Sequence, residues 1–155
     1  MTRPPVPVVV ALGANLGDRR SHIDWAAAEL STHLSGLRLS QVIETDPEGV
    51  PTPQPRYLNA VAVGETTLAP RDLLDVLLDI ERRRQRVRTG VRAARTLDLD
   101  LILYGQAVVN EPGLEVPHPR FRERRFVLEP LAALAPDFVD PVTGVTVRDL
   151  LAQLR

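Results

Sequence analysis

Blocks of hydrophobic and polar residues follow one another along the chain with periods that predict alternating strands and helices. A continuous run rich in β-branched residues over Val6–Leu12 predicts a first strand that is buried on both faces. Alternating segments predict three more strands and a short fifth one, at Leu37–Thr45, Tyr57–Glu65, Leu97–Tyr104 and Ala107–Val109. The chain is therefore expected to build a sheet from these segments.

Segments with a helical period separate or follow the strands. They predict helices at Arg19–Leu34, Pro70–Arg84, Phe126–Ala135 and Thr146–Leu154. The element order β-α-β-β-α-β predicts the fold class α+β, a ferredoxin-like βαββαβ sandwich with additional C-terminal helices. With 155 residues, we expect a single domain over positions 1–155.

Three connections contain residues that suit turns or functional loops. Gly13–Asp18 combines glycines with asparagine and aspartate at a strand–helix junction. The segment Asp46–Arg56 holds four prolines and a glycine, and this composition predicts an irregular, functional loop. Asn110–Arg125 is polar, is interrupted by prolines and carries His118.

Composition excludes several classes of function. The net charge of −1 argues against general nucleic-acid binding, and the absence of cysteine excludes disulfides, zinc–thiolate sites and cysteine nucleophiles. No apolar stretch approaches the ~20 residues that a membrane span needs, and no signal-peptide pattern is present. We therefore expect a cytoplasmic protein with no nucleic-acid or membrane partner.

The most informative stretch is a row of arginines that leads into a strand with two carboxylates. Asp98 and Asp100 are two residues apart on the predicted strand, so they project from the same face. Two neighbouring carboxylates suit Mg²⁺, which completes its shell with water and phosphate oxygens. Arginines hold such phosphates through paired hydrogen bonds, and seven lie nearby: Arg82, Arg83, Arg84, Arg86, Arg88, Arg92 and Arg95. The pattern predicts a magnesium–polyphosphate site.

Structural readings of the same residues stay open. Asp98 and Asp100 can be exposed positions on a half-solvated strand, and the arginines can stabilise a helix C-terminus. That second reading accounts for Arg82–Arg84 but not for the later arginines. Tyr57 and Asn59 share one strand face that suits a flat heterocycle, although core packing also explains an aromatic residue there.

An ordered series of motifs resembles the 6-hydroxymethyl-7,8-dihydropterin pyrophosphokinase family of folate biosynthesis. The motifs run nearly the length of the chain and comprise Gly13–Asp18, Glu44-Thr45-x-Pro47-x-Gly49, Tyr57–Ala60, Arg86–Arg88, Arg95–Asp100 and Val116–Pro119. The resemblance implies a ferredoxin-like α/β sandwich. It also implies transfer of pyrophosphate from MgATP to the pterin hydroxymethyl group, with release of AMP.

The resemblance further implies roles for individual residues. Asp98 and Asp100 would hold two Mg²⁺ ions, and the catalytic set would add Arg86, Arg88, Arg92 and Arg95, with Arg88 and Arg92 on a mobile loop. ATP would be bound by Glu81, Arg86, Arg88, Arg95, Leu101, His118 and Arg124. The pterin would stack between Tyr57 and Phe126, with further contacts from Gly13, Thr45, Asp46, Glu48 and Asn59.

Two other functions compete with this hypothesis. The arginine row also fits a non-catalytic ferredoxin-like module that binds a ligand or RNA, whose binding would be salt-sensitive and independent of magnesium. The segment Arg92-Ala93-Ala94-Arg95 is shorter than the family pattern and lacks its tryptophan. This difference would fit a homologue that binds both substrates without turnover. We expect the pyrophosphokinase to be a monomer.

Overall fold

A five-stranded antiparallel sheet runs through the centre of the protein, seen here in a computed structural model that describes residues 4–46, 56–85 and 96–154. Its strands are β1 (Val6–Ala14), β2 (Ser35–Leu39), β3 (Ile43–Thr45), β4 (Tyr57–Thr66) and β5 (Asp98–Tyr104). The strand order is β2-β4-β1-β5, and β3 also pairs with β4. A separate hairpin joins β6 (Val109–Glu111) to β7 (Leu114–Val116).

Four α-helices in the described part of the chain cover both faces of this sheet. They are α1 (Arg19–Leu30), α2 (Pro70–Gln85), α3 (Arg125–Leu134) and α4 (Val147–Gln153), with a short 3₁₀ helix at Phe121–Glu123 before α3. The first two helices pack in one hydrophobic cluster with one face of the sheet, and the last two pack in a second cluster with the other face. The architecture is therefore α+β, with helices on both sides of the sheet.

The two-sided burial predicted for the first strand is confirmed. Val8 and Val10 belong to the cluster with α1 and α2, whereas Val9 belongs to the cluster with α3 and α4. Because side chains alternate across a strand, a continuous β-branched run fills both clusters. The strand also extends two residues further than predicted, to Ala14, and this extension brings Gly13 into the sheet.

The first helix ends at Leu30 rather than at Leu34. The Ser31 hydroxyl donates to the Ala28 carbonyl at 2.7 Å, and the Thr32 hydroxyl donates to the Glu29 carbonyl at 2.8 Å. Serine and threonine side chains compete in this way for backbone groups that would otherwise continue the helix. The prediction of a longer helix was wrong for this reason.

The predicted strand Leu37–Thr45 is two strands, because Ser40 interrupts it. Its hydroxyl accepts a hydrogen bond from the Val61 N–H at 2.8 Å, so a side chain takes one position in the ladder. The short strand predicted at Ala107–Val109 lies instead at Val109–Glu111, and its partner β7 was not predicted. The other predicted strands and helices agree with the structure within two residues.

No helix in the described ranges is long and apolar enough to cross a membrane.

Candidate active site

Three adjacent strands place a row of small and polar residues side by side at one end of the sheet. Gly13 on β1 lies opposite Asn59 on β4 and opposite Asp98 on β5. Ala11 lies opposite Asp100 two residues earlier, and Thr45 on β3 lies opposite Tyr57. Because directly paired residues project from the same face of a sheet, these side chains meet on one surface.

A pocket of about 200 Å³ opens on this surface. Its floor comes from β1, β4 and β5, and α3 contributes Phe126 and Val127. The other lining residues are Ala11, Leu12, Gly13, Thr45, Asp46, Tyr57, Asn59, Ala60, Asp98, Asp100, Ile102 and Arg124. Two aromatic rings, a side-chain amide and three carboxylates therefore surround one small cavity, which suits a flat polar ligand.

Hydrogen bonding fixes the amide orientation of Asn59. This side chain is largely buried, with 8% exposure, and its Nδ2 donates to Thr45 Oγ1 at 2.7 Å. Asn59 Oδ1 lies on the side of Gly13, 3.5 Å from the position that a Cβ atom would take there. With its NH₂ group engaged by Thr45, Asn59 presents its carbonyl oxygen to the pocket as an acceptor.

A cluster of charges holds the strand that carries Thr45. Glu44 pairs with Arg19 of α1 at 3.0 Å and with Arg56 at 3.2 Å. Arg56 also pairs with Asp46 at 3.1 Å. Individual exposed ion pairs contribute little, but these link α1, β3 and the start of β4 around the pocket mouth.

A second, larger groove of about 650 Å³ lies beside β5. Leu74, Leu78 and Glu81 line it from α2, and β5 contributes Asp98 to Leu101. The remaining lining residues come from the β6–β7 hairpin and the segment after it: Asn110, Glu111, Gly113, Leu114, Glu115, His118, Pro119 and Arg124. The groove is open and mixes apolar with charged side chains, so it suits a longer ligand with both kinds of surface.

The pocket and the groove meet at three shared residues, Asp98, Asp100 and Arg124. Both carboxylates are half-buried, as their position on one strand face requires. Within the described residues no set of three or more acidic, histidine or cysteine side chains is arranged to hold a metal ion by itself. Two carboxylates beside a polyphosphate-sized groove fit Mg²⁺, which commonly takes one or two carboxylates and fills its shell from phosphate and water.

Glu81 fixes the strand between the two aspartates. It is largely buried, with 8% exposure, and its Oε2 accepts a hydrogen bond from the Leu99 N–H at 2.6 Å. Leu99 lies between Asp98 and Asp100, so the end of α2 is tied directly to the carboxylate-bearing segment. Charge-assisted bonds to a buried carboxylate are among the stronger hydrogen bonds in proteins.

His118 stands in the groove with a lowered basicity. Burial lowers the pKa of His118 below its usual value of 6.5, and the charges of Arg124 and Arg120 lower it further, while Asp98 acts in the opposite direction. Its Nδ1 accepts from the Arg120 N–H at 3.2 Å. The neutral ring therefore carries its proton on Nε2, which can donate to an anionic ligand.

The arginines that follow His118 have separate roles that the sequence did not distinguish. Arg122 donates to the fully buried carboxylate of Asp140, and Arg125 donates to the Leu154 carbonyl at 3.2 Å. Arg124, in contrast, lines both cavities, and its guanidinium lies 5.6 Å from the centre of the Phe126 ring. These three arginines differ in role because they lie at different positions relative to the sheet.

The structure brings together most of the residues predicted for the site. Gly13, Thr45, Asp46, Tyr57, Asn59, Asp98, Asp100, Arg124 and Phe126 line the pocket, and Glu81, Asp98, Asp100, Leu101, His118 and Arg124 line the groove. Glu48, Arg86, Arg88, Arg92 and Arg95 lie outside the described residues. Sequence reasoning missed Leu74 and Leu78, although their helical spacing from Glu81 places all three on one side of α2.

Comparison with protein families matches residues 9–136 to the 7,8-dihydro-6-hydroxymethylpterin-pyrophosphokinase family. The 2-amino-4-hydroxy-6-hydroxymethyldihydropteridine pyrophosphokinase of Pseudomonas aeruginosa is 46% identical over 148 residues, which cover 94% of this chain and 90% of the relative. The protein of the same name from Synechocystis is 40% identical over 149 residues, covering 94% and 75% of the two chains.

Solved structures show the same fold. The wild-type HPPK-DHPS chain of Plasmodium falciparum superimposes with a TM-score of 0.76 at 14% identity, over 97% of this chain. That alignment covers 45% of the Plasmodium chain, so this protein spans less than half of it.

Proposed function

Because the chain belongs to the 7,8-dihydro-6-hydroxymethylpterin-pyrophosphokinase family, it transfers pyrophosphate from ATP to hydroxymethyldihydropterin in folate biosynthesis, and we propose which residues do so. We assign the pterin to the small pocket and ATP to the groove. The observation that carries this assignment is that the two cavities share Asp98, Asp100 and Arg124. A phosphoryl group can pass between two bound substrates only where their sites touch.

The small pocket has the chemistry of a pterin site. Tyr57 and Phe126 offer two aromatic surfaces to a flat ring, and the Asn59 carbonyl offers an acceptor to an N–H at the ring edge. Gly13, without a side chain, leaves the floor open beside these groups. Thr45 and Asp46 lie at the same rim, and Glu48 is assigned to the pterin from the sequence resemblance alone.

The groove has the chemistry of a nucleotide site. We assign its end at Asp98, Asp100, His118 and Arg124 to the triphosphate, and its Leu74, Leu78 and Leu101 surface to the nucleoside. His118 donates from Nε2, because its Nδ1 accepts from the Arg120 N–H, and Arg124 donates to phosphate beside the pterin pocket. Glu81 acts through Leu99 as a positioning residue for the two aspartates.

Asp98 and Asp100 would hold the magnesium, and two ions are proposed. When bound, magnesium neutralises phosphate charge and lowers the pKa of a hydroxyl attached to it. The protein supplies the position of the pterin hydroxyl and fixed cations around the triphosphate, and positioning of this kind provides most of the rate in phosphoryl transfer. Arg86, Arg88, Arg92 and Arg95 are assigned to the triphosphate from the sequence resemblance.

Four more detailed expectations are also proposals. We infer a ferredoxin-like arrangement, supported by the order β2-β4-β1-β5 with every pair antiparallel. We also infer one pyrophosphokinase domain over residues 1–155, a monomeric enzyme and a cytoplasmic location. Gel filtration with light scattering tests the monomer.

The reaction is tested with purified protein, Mg²⁺, ATP and the reduced hydroxymethylpterin. We expect AMP to be released in proportion to the pterin consumed, with no AMP when the pterin or Mg²⁺ is omitted. Release of ADP, or no nucleotide product, would overturn the proposed function. Magnesium-independent, salt-sensitive binding of an oligonucleotide would favour the RNA-binding alternative.

Substitution of the aspartates tests the metal assignment. Asp98→Asn and Asp100→Asn each keep the side-chain shape but remove a magnesium ligand, so we expect at least a ~100-fold loss of turnover. Asp24→Asn removes an exposed carboxylate that pairs with Arg20 on α1, and serves as the matched control. Full activity in either site variant, with circular dichroism like wild type, would remove the metal assignment.

A further inference from the structure

One side of α2 faces the groove through three residues. Leu74, Leu78 and Glu81 line the groove, and Arg71 has the spacing that places it on the same side of the helix. Glu81 lies at the aspartate end. At 1.5 Å per residue, Arg71 lies ~15 Å further along the helix. Arg71 therefore lies beside the groove, far along α2 from the proposed triphosphate site.

The contacts of Arg71 place its guanidinium against the groove wall. Its Nη2 donates to Glu111 Oε1 at 2.8 Å and to the Pro112 carbonyl at 2.9 Å. Its Nη1 lies 3.8 Å from the position that a Cβ atom of Gly113 would take. Glu111 and Gly113 both line the groove, so the guanidinium lies over a wall segment without a side chain.

The remaining donors of Arg71 are available to a ligand. Among the residues that the structure describes, its Nε and Nη1 make no hydrogen bond. The side chain is 43% exposed, so its ion pair with Glu111 is an exposed one of the kind that adds little to stability. Arginine in the first turn of a helix is also electrostatically unfavourable. Fold stability alone gives little reason for this cation.

The charges of the groove suggest that Arg71 serves to bind a ligand. Glu111 and Glu115 line the groove together with the neutral Asn110, and Glu111 is the carboxylate that Arg71 contacts. Two carboxylates would repel a polyanionic nucleotide, and Arg71 offsets one of them. A guanidinium also stacks on flat rings and donates in its plane to ring or ribose acceptors.

We propose that Arg71 binds the nucleoside part of ATP, contacting the base and ribose from α2 over Gly113. This inference rests on the proposed function, because it takes ATP to lie in the groove with its phosphates at Asp98 and Asp100. The competing explanation is that Arg71 only fastens the β6–β7 hairpin to α2 through Glu111.

Two substitutions that break the same ion pair separate these explanations. Arg71→Ala removes the guanidinium, and we expect the Kd of α,β-methylene-ATP with Mg²⁺ to rise about three- to fivefold. Glu111→Gln keeps the guanidinium, releases it toward the groove and removes a negative charge, so we expect this Kd to fall about twofold. Arg71→Lys keeps the charge without the planar group and should lie between Arg71→Ala and wild type.

Isothermal titration calorimetry measures these constants, and inorganic tripolyphosphate is the second probe. Because tripolyphosphate has no nucleoside, its affinity should be the same in Arg71→Ala and wild type. Equal weakening of nucleotide binding by Arg71→Ala and Glu111→Gln would reduce Arg71 to a structural contact and overturn the inference. An unchanged nucleotide Kd in Arg71→Ala would overturn it as well.

The same preparations distinguish this inference from the proposed function. If the wild-type protein releases no AMP, the proposed function is wrong, whatever the result for Arg71. Wild-type protein that releases AMP, together with an Arg71→Ala variant of unchanged nucleotide affinity, fails the inference alone. Thermal unfolding of each variant shows whether the fold is retained.

Discussion

Replacing Gly13 with alanine adds one methyl group to the floor of the proposed pterin pocket. The new Cβ would lie 3.5 Å from Asn59 Oδ1 and 3.7 Å from Tyr57 Cδ1, which are ordinary van der Waals distances. Gly13 is not among the glycines with positive φ, so alanine fits its backbone conformation. Because glycine inside a strand costs ~0.5–1 kcal/mol relative to alanine, we expect Gly13→Ala to be slightly more stable than wild type.

In contrast to the gain in stability, we expect Gly13→Ala to weaken pterin binding. The methyl group would occupy the space between Asn59 and Tyr57, the two residues that we assign to the pterin ring. Forcing one extra methyl into a well-packed contact typically costs ~1–3 kcal/mol. An energy of that size corresponds to a ~5- to 150-fold loss of affinity. Gly13→Ala would therefore be a more stable protein that binds its substrate worse.

The assay compares three measurements on the same variant: the melting temperature, the Kd of the pterin, and the Kd of a nonhydrolysable ATP analogue. The ATP affinity is an internal control, since Gly13 lines the pocket but not the groove. Gly144→Ala is the matched control variant. Gly144 has open space around it but a φ of +73°, so alanine there should lower stability and leave pterin binding unchanged.

Wild-type pterin affinity in a folded Gly13→Ala variant would refute the reasoning. It would mean that the ring does not approach the β1 backbone, and the pterin assignment of Asn59 and Tyr57 would lose its geometric basis. A large loss of stability in Gly13→Ala would refute the expected gain in stability, because the distances at Gly13 leave room for the methyl group.

Two further predictions concern Thr45 and His118. Thr45→Val keeps the side-chain shape but removes the acceptor of the Asn59 amide, so the amide loses its fixed orientation. The binding free energy of the pterin, measured by direct titration, should weaken by ~0.5–1.5 kcal/mol. Unchanged pterin affinity would contradict this role of Thr45. Burial and two arginines lower the pKa of His118 in the folded protein below 6.5, so the unfolded chain binds this proton more readily. The free energy of unfolding is therefore at its full value above pH 6.5 and decreases as the pH falls through the folded-state pKa. Urea unfolding on both sides of pH 6.5 should show this loss in wild type and a smaller one in His118→Gln, and equal losses would contradict it.

Local alternation was enough to predict which side chains share a face. Asp98 and Asp100 line one pocket, as do Tyr57 and Asn59, because residues two apart on a strand project to the same side. That rule needs only a correct strand assignment. The roles assigned to these residues stay predictions, because position in a pocket does not by itself identify a ligand.

Long-range packing determines the features of the site that local sequence patterns do not predict. Nothing local distinguishes Arg124 from Arg122, yet one lines both cavities and the other is bonded to buried Asp140. The difference depends on where the 3₁₀ helix with Arg122 and the residue before α3, Arg124, lie relative to the sheet. Ser40 shows the same limit on a smaller scale, because its bond to Val61 splits a strand that alternation predicts as continuous.

The position of β5 at the edge of the main sheet explains how one strand serves two ligands. Its face toward α3 contributes to the small pocket, and its outer side, beside α2, contributes to the larger groove. A displacement of β5 would therefore alter both proposed substrate sites together. Such a displacement is opposed by the pairing of β5 with β1, which includes Leu99 opposite Leu12, and by the bond from the Leu99 N–H to Glu81. Loss of the Glu81 carboxylate should for that reason affect both substrates, whereas changes at Gly13 or Arg71 should each affect one.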